Sequence, residues 1–294
     1  MDVAVRSDAG AEQARNHDAY LWENVAGNAS LVAVADGFGT IGNDESVGAL
    51  ALGFIRDFLR RKLRNAVSTT RLATVSEIRT LLQSAFSHAN ARLYTQSGSH
   101  EDYVASGTTL TCALIVGHQA FVGHVGDSRA YLLRGVKLQL LTSDDALLAD
   151  VVPIMKTMLK AQARVRSLLT RSLGTQSTLD ASVIHFELLA GDQLVLCTDG
   201  IHRYVEEEEM GRALLSEAAL ARAAEAIVLT AKARGSGDNA TVVVGRDLSV
   251  HVMPEALVPP RDDAWRSRKF LIVFVVLWTA VLVAGMLHVF PGVH

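Results

Sequence analysis

The sequence predicts a mixed domain of α-helices and antiparallel β-strands, followed by one membrane-spanning helix. Three observations carry this: short apolar runs of strand length recur between residues 31 and 244, two long amphipathic stretches separate the first of them from the rest, and residues 270–287 carry no charge. A chain of 294 residues can bury a sizeable core, and about 250 of them precede the linker and apolar run, enough for one large domain.

The expected strands are 31–35, 109–116, 121–125, 130–133, 183–188, 194–197 and 241–244. The first expected helix, 44–64, places Val47, Leu50, Phe54, Phe58 and Leu63 near 3.6-residue spacing, with Asp44 and Glu45 at its positive end. The second begins at Thr74-Val-Ser-Glu77, a capping-box pattern, and sets Ile78, Leu81, Leu82, Ala85, Phe86, Ala89 and Leu93 on one face. A third, 217–232, stops at Arg234-Gly235. Tight links at 116–121 and at Arg134-Gly135 predict hairpins, hence antiparallel pairing. The acidic run 206–209 reads as a solvated helix start, and no internal period points to a solenoid.

The net charge of −3 offers no basic field for nucleic acid. Cys112 and Cys197 are far apart and form no C-x-x-C, so they read as buried thiols of a reducing compartment. Residues 249–269, with Pro254, Pro259 and Pro260, read as a semi-rigid linker. The apolar run 270–290 is long enough for the roughly 30 Å hydrocarbon core. Arg261, Arg266, Arg268 and Lys269 stand before it and only residues 291–294 follow, so the positive-inside rule predicts a single pass with residues 1–248 in the cytoplasm. The first ten residues have neither a basic n-region nor an apolar h-region, so no signal peptide competes.

Four acidic segments end apolar runs in order: V-A-D-G at 34–37, V-G-D-S-R at 125–129, C-T-D-G at 197–200 and G-D-N-A-T at 237–241. An aspartate ending a buried strand is costly unless its charge is matched, and converging aspartates repel unless divalent cations lie between them. With no soft ligands grouped, the expected metal is magnesium or manganese rather than zinc.

With S-D-A-G at 7–10, N-H-D-A-Y at 16–20, S-G-T-T at 106–109 and L-L-T-R-S-L-G at 168–174, these segments make the chain resemble the metal-dependent Ser/Thr protein phosphatases of type 2C (PPM), in their compact bacterial form. The resemblance covers residues 3–245, nearly all of the domain. It implies an α+β fold of four layers, α-β-β-α, in which two antiparallel sheets are flanked by helices. It also implies two metal ions held by Asp36, the Gly37 carbonyl, Asp199 and Asp238, with a water between them aimed at phosphorus. Asp127 matches a ligand of a third, weaker metal, and Asp18 a carboxylate that orients metal-bound water. Asn239 and Thr241 are expected to fix the loop presenting Asp238.

The chain also departs from that pattern. The arginine expected to grip phosphate is replaced by Gln13, which leaves Arg15, on the same face of an extended segment, or Arg6 to substitute. His17 precedes Asp18, Phe38 follows the D-G pair where some members carry histidine, and 142–145 reads T-S-D-D without one. Residues 146–166 match a flap expected to select substrates. The implied function is dephosphorylation of phosphoserine and phosphothreonine proteins, substrates of a cognate kinase, beside a membrane. The alternative is an anchored pseudophosphatase acting as a phosphoprotein-binding scaffold, against which retention of the carboxylates counts.

Overall fold

Strands covered on both faces set the architecture. β5 (Leu110–Val116) and β6 (Gln119–Val125) are buried along nearly their whole length, because one face meets helices and the other a second sheet. The computed structural model describes residues 1–39, 41, 46–67, 74–96, 106–146 and 169–246. These all lie within one unit, residues 1–249.

The first sheet runs β2 (Asp18–Ala26), β3 (Ala29–Phe38), β5, β6, β9 (Ser182–Glu187), with the short β4 (Gly107–Thr108) on the end of β3. The second runs β1 (Asp2–Asp8), β11 (Ala240–Arg246), β10 (Gln193–Cys197), β7 (Arg129–Arg134), β8 (Lys137–Leu140). Every pairing is antiparallel. Val32, Val34, Ala113, Val122, Leu132, Leu196 and Val243 fill the space between the sheets. This is the expected α-β-β-α sandwich.

Helices α1 (Val47–Val67) and α2 (Val75–Gln96) cover the first sheet through Leu52, Ile55, Leu59, Leu82, Phe86 and Leu93. Phe86 reaches the sheet over Gly123, where an added Cβ would stand 2.5 Å from its ring. α1 starts at Ser46, whose hydroxyl accepts the Ala49 amide at 3.3 Å. Asp44 and Glu45, expected there, lie outside the described residues. The capping box before α2 is present: the Thr74 amide donates to Glu77 at 2.8 Å and the Glu77 amide to the Thr74 hydroxyl at 3.3 Å.

The second sheet is covered by α3 (Asp199–His202), α4 (Glu207–Ser216) and α5 (Leu220–Ala233). The run 206–209 is the helix start it was expected to be, a capping box between Glu206 and Glu209. α5 begins three residues later than expected and stops before Gly235, whose φ of +87° suits glycine. Both hairpins form, with Gly117 and Gly135 at positive φ in their turns. Cys112 and Cys197 are buried free thiols in β5 and β10. No helix among the described residues is long and apolar enough to cross a membrane. The run 270–290 and most of the expected flap, 147–166, lie outside them.

Candidate functional site

All four acidic segments converge at one end of the sandwich, where both sheets open into a cavity of about 600 Å³. Asp36 stands near the end of β3, opposite Asp18 in β2. Asp127 occupies the turn from β6 to β7, Asp199 opens α3 directly after β10, and Asp238 sits just before β11. Asp36, Gly37, Asp127, Asp199, Asp238 and Asn239 all line the cavity, with Gln13, His17, Phe38 and Thr109.

Neighbouring residues fix the aspartates, by backbone or by side chain. The Asp36 amide donates to the Thr109 hydroxyl at 2.9 Å, while its carbonyl accepts from the Thr109 amide at 2.9 Å and the Thr108 hydroxyl at 2.9 Å. This explains the S-G-T-T segment: its threonines clamp the end of β3. Asp18 accepts from the Thr198 hydroxyl at 2.8 Å, so the residue before Asp199 ties the second sheet to the first. The Gln13 amide donates to Asp238 at 3.0 Å, as does the Asn239 backbone at 3.0 Å.

Asn239 staples the Asp238 loop to the segment between β1 and β2. Its amide group donates to the carbonyls of Ala9 at 2.7 Å and Arg15 at 3.2 Å, and its oxygen accepts the His17 amide at 2.7 Å. Thr241 holds the same junction, bonding Ser7 side chain to side chain at 2.7 Å and donating its amide to Thr198 at 3.0 Å. Close backbone approach demands glycine at two positions here. A Cβ on Gly10, whose φ is +72°, would stand 2.2 Å from the Asp238 carbonyl, and one on Gly200 only 2.0 Å from that of Asn239.

The electrostatics are those of an uncompensated acidic cluster. Burial, and then the charges of Asp18, Asp199, Asp127 and Asp238, hold the Asp36 carboxyl well above the ordinary range. Burial pushes Asp18 up to about 7, with Asp199 and Asp238 adding to it against two threonine hydrogen bonds. Asp199 rises to about 6, again chiefly by burial, with Arg203 opposing. Asp18 Oδ1 and Asp199 Oδ1 are buried without a hydrogen-bond partner. Among the described residues no three His, Cys, Asp or Glu side chains are close enough together to form a finished metal cage. The donor set nevertheless suits hard divalent cations: it is all oxygen, two of its oxygens are buried with nothing to bond, and a cation would relieve the repulsion.

Arg203 was not anticipated. It lies one turn after Asp199, and its guanidinium spans two carboxylates of the cluster, 2.9 Å from Asp127 and 3.0 Å from Asp199. Beside it, His202 Nε2 is 2.8 Å from the Asp127 carbonyl, and burial holds its imidazole down at about 4, the neutral form. The i,i+4 spacing of Asp199 and Arg203 was the available signal.

The segment between β1 and β2 corrects one expectation. Residues 9–17 form a loop, so the strand alternation that put Gln13 and Arg15 on one face does not apply. Gln13 faces the cavity, whereas Arg15 is exposed and outside its lining. Asp144 and Asp145 of T-S-D-D pair with arginines: Arg129 meets Asp144 at 2.9 Å and Arg171 meets Asp145 at 2.6 Å. Asp145 also accepts the Gly126 amide at 3.1 Å, which fixes the turn carrying Asp127.

A two-sheet sandwich with this acidic cavity defines a phosphatase of the 2C type, and comparison with known proteins agrees. The chain matches the family described as protein phosphatase 2C over residues 8–236 and belongs to it. The serine/threonine phosphatase stp of Listeria monocytogenes is 32% identical over 254 residues, 85% of this chain and 97% of that protein. The Streptococcus agalactiae serine/threonine phosphatase superposes with a TM-score of 0.68 at 26% identity, over 84% of this chain and 99% of that one. The catalytic domain of the phosphatase PstP, solved in complex with two manganese ions, gives a TM-score of 0.61 at 29% identity, over 83% of this chain and 96% of that one.

Proposed function

We propose that this protein hydrolyses phosphoserine and phosphothreonine in proteins, at a centre of two magnesium or manganese ions held by Asp36, the Gly37 carbonyl, Asp199 and Asp238. The observation that carries the reading is the convergence of four carboxylates on one cavity with Asp18 close beside them, and with buried oxygens of Asp18 and Asp199 that bond to nothing. The manganese found in PstP supports the choice of metal. Bound cations supply a nucleophile from water and the positive charge that a phosphate requires. The chain's own residues supply the rest. Asp36, Asp199 and Asp238 bring charge from three separate elements and would hold the cations from both sheets. Asp18 stands beside the cluster, where burial and the charges of Asp199 and Asp238 raise its carboxyl in the metal-free protein and bound cations would favour its ionised form. Asn239 keeps Asp238 in place, and the threonines at 108 and 109 keep Asp36 in place.

Phosphate release from p-nitrophenyl phosphate and from a phosphothreonine peptide, with manganese and with EDTA, tests the proposal. Turnover unaffected by chelation contradicts it. The scaffold alternative draws on one observation, that Gln13 stands in the cavity where an arginine was expected. It predicts phosphopeptide binding without release in the same assay.

The tail extends the proposal to location. The uncharged run 270–290 and the four basic residues before it support a single-pass anchor that holds the domain on the cytoplasmic side, where kinase products reside. Tethering confines the active site beside the bilayer and raises its effective concentration toward membrane-bound phosphoproteins. Recovery of the full-length protein in the soluble fraction after an alkaline carbonate wash contradicts the anchor.

A further inference from the structure

Asp127 and Asp199 are bridged by a cation that belongs to the chain. The same terminal nitrogen of Arg203 lies 2.9 Å from Asp127 Oδ2 and 3.0 Å from Asp199 Oδ2. Both carboxylates are buried, their side chains 5% and 9% exposed, so the contact is made largely out of water. The arginine is placed by backbone at both ends. Its amide closes α3 by donating to the Asp199 carbonyl at 3.2 Å, and the adjacent His202 fastens the same turn to the Asp127 carbonyl at 2.8 Å. Guanidinium does not lose its proton in proteins, so the charge is permanent.

We propose that Arg203 is the fixed cation of the Asp127 position, so that Asp127 serves to hold Arg203 rather than to bind a third metal, and the cavity takes two divalent ions only. This rests on the binuclear reading above. Charge balance favours it: Asp18, Asp36, Asp127, Asp199 and Asp238 are offset in the resting cavity by two divalent ions and one guanidinium. A third divalent ion would have to approach Asp127 against the guanidinium already on Oδ2, at a separation where like charges repel strongly. Arg203 is also a positioning residue for Asp199. By taking Oδ2 it leaves Oδ1, buried and without a partner on a residue lining the cavity, as the atom offered to a metal.

The test is a count of bound manganese on the full chain by equilibrium dialysis, with circular dichroism confirming that each variant is folded. The wild type is expected to bind two ions, and Asp127→Asn to leave the count at two. Arg203→Gln is expected to raise it to three, with the added ion the weakest, and Asp127→Asn in that background to return it to two. Arg203→Lys, which keeps the charge, stays at two. A wild type that binds three ions and loses one in Asp127→Asn overturns the inference while leaving the binuclear reading intact, and this pair decides the matter even if the Arg203 variants do not fold. Folded Arg203→Gln that still binds two ions also overturns it. A wild type that binds fewer than two ions refutes the binuclear reading itself.

Discussion

Asp199→Asn should stabilise the metal-free protein while destroying its response to metal. Burial and neighbouring aspartates raise this carboxyl from an ordinary 3.8 to about 6. Its ionised form therefore costs the native state about 3 kcal/mol at pH 8, at roughly 1.4 kcal/mol per pKa unit. Asparagine removes that cost and almost no volume. It also forfeits the contact with Arg203, which Asp127 shares, and leaves an expected gain of about 1–3 kcal/mol. For a domain of this size that is a rise in melting temperature of about 2–10 °C. The pH dependence fixes the cause. Between 3.8 and about 6 the native state holds the proton more firmly than the unfolded chain, so wild-type stability falls as pH rises through that window. The advantage of asparagine must accordingly be largest at pH 8 and shrink by about half at pH 5, the middle of that window. Thermal melts in EDTA at the two pH values, repeated with manganese, provide the assay. A variant destabilised equally at both pH values in EDTA, or one that manganese stabilises as it does the wild type, refutes the reasoning.

Manganese binding should weaken as pH falls from 8 to 6, because Asp18, at about 7, and Asp199, at about 6, must release protons before a cation can take their place. Over those two pH units the loss is about tenfold from Asp18 and about twofold from Asp199, read by calorimetry, and a flat profile contradicts it. Asn239→Ala should cost about 1–3 kcal/mol in urea denaturation, because it leaves the Ala9 carbonyl and the His17 amide without their partner, and should weaken manganese binding by loosening Asp238. Gln13→Arg should raise kcat/KM on a phosphopeptide by about ten- to a hundredfold, a charged contact to phosphate being worth about 1.5–3 kcal/mol, while Arg15→Ala changes it less than about twofold. A silent Gln13→Arg together with a damaging Arg15→Ala would place the phosphate on the loop surface instead.

The strands read correctly from sequence are mostly those at the centre of the sheets. β3, β5, β6, β10 and β11 are apolar on both faces because both faces are covered, and a continuous apolar run is visible without knowing the fold. β1, β2 and β8 were not anticipated, and each is an edge strand. Their half-exposed faces carry Arg6, Trp22, Glu23 and Gln139, which dilute the apolar signal below that of a loop. The carboxylates of the site were legible because an aspartate ending a buried strand is anomalous wherever it occurs. Arg203 was not, since a lone arginine after a D-G pair looks like a solvated helix residue. Only the folding of β6 and β7 beside β10 brings Asp127 within its reach. Arg15 was misplaced for a related reason: alternation is a property of paired strands, and residues 9–17 have no strand partner.

The most direct test of the central claim is to locate manganese by anomalous diffraction from crystals grown with the ion. Two peaks are expected in the cavity, in contact with Asp36, the Gly37 carbonyl, Asp199 and Asp238, with Asp18 beside them and the guanidinium of Arg203 still on Asp127. Manganese found elsewhere on the surface, with the cavity holding water alone and its carboxylates turned apart, would contradict the account.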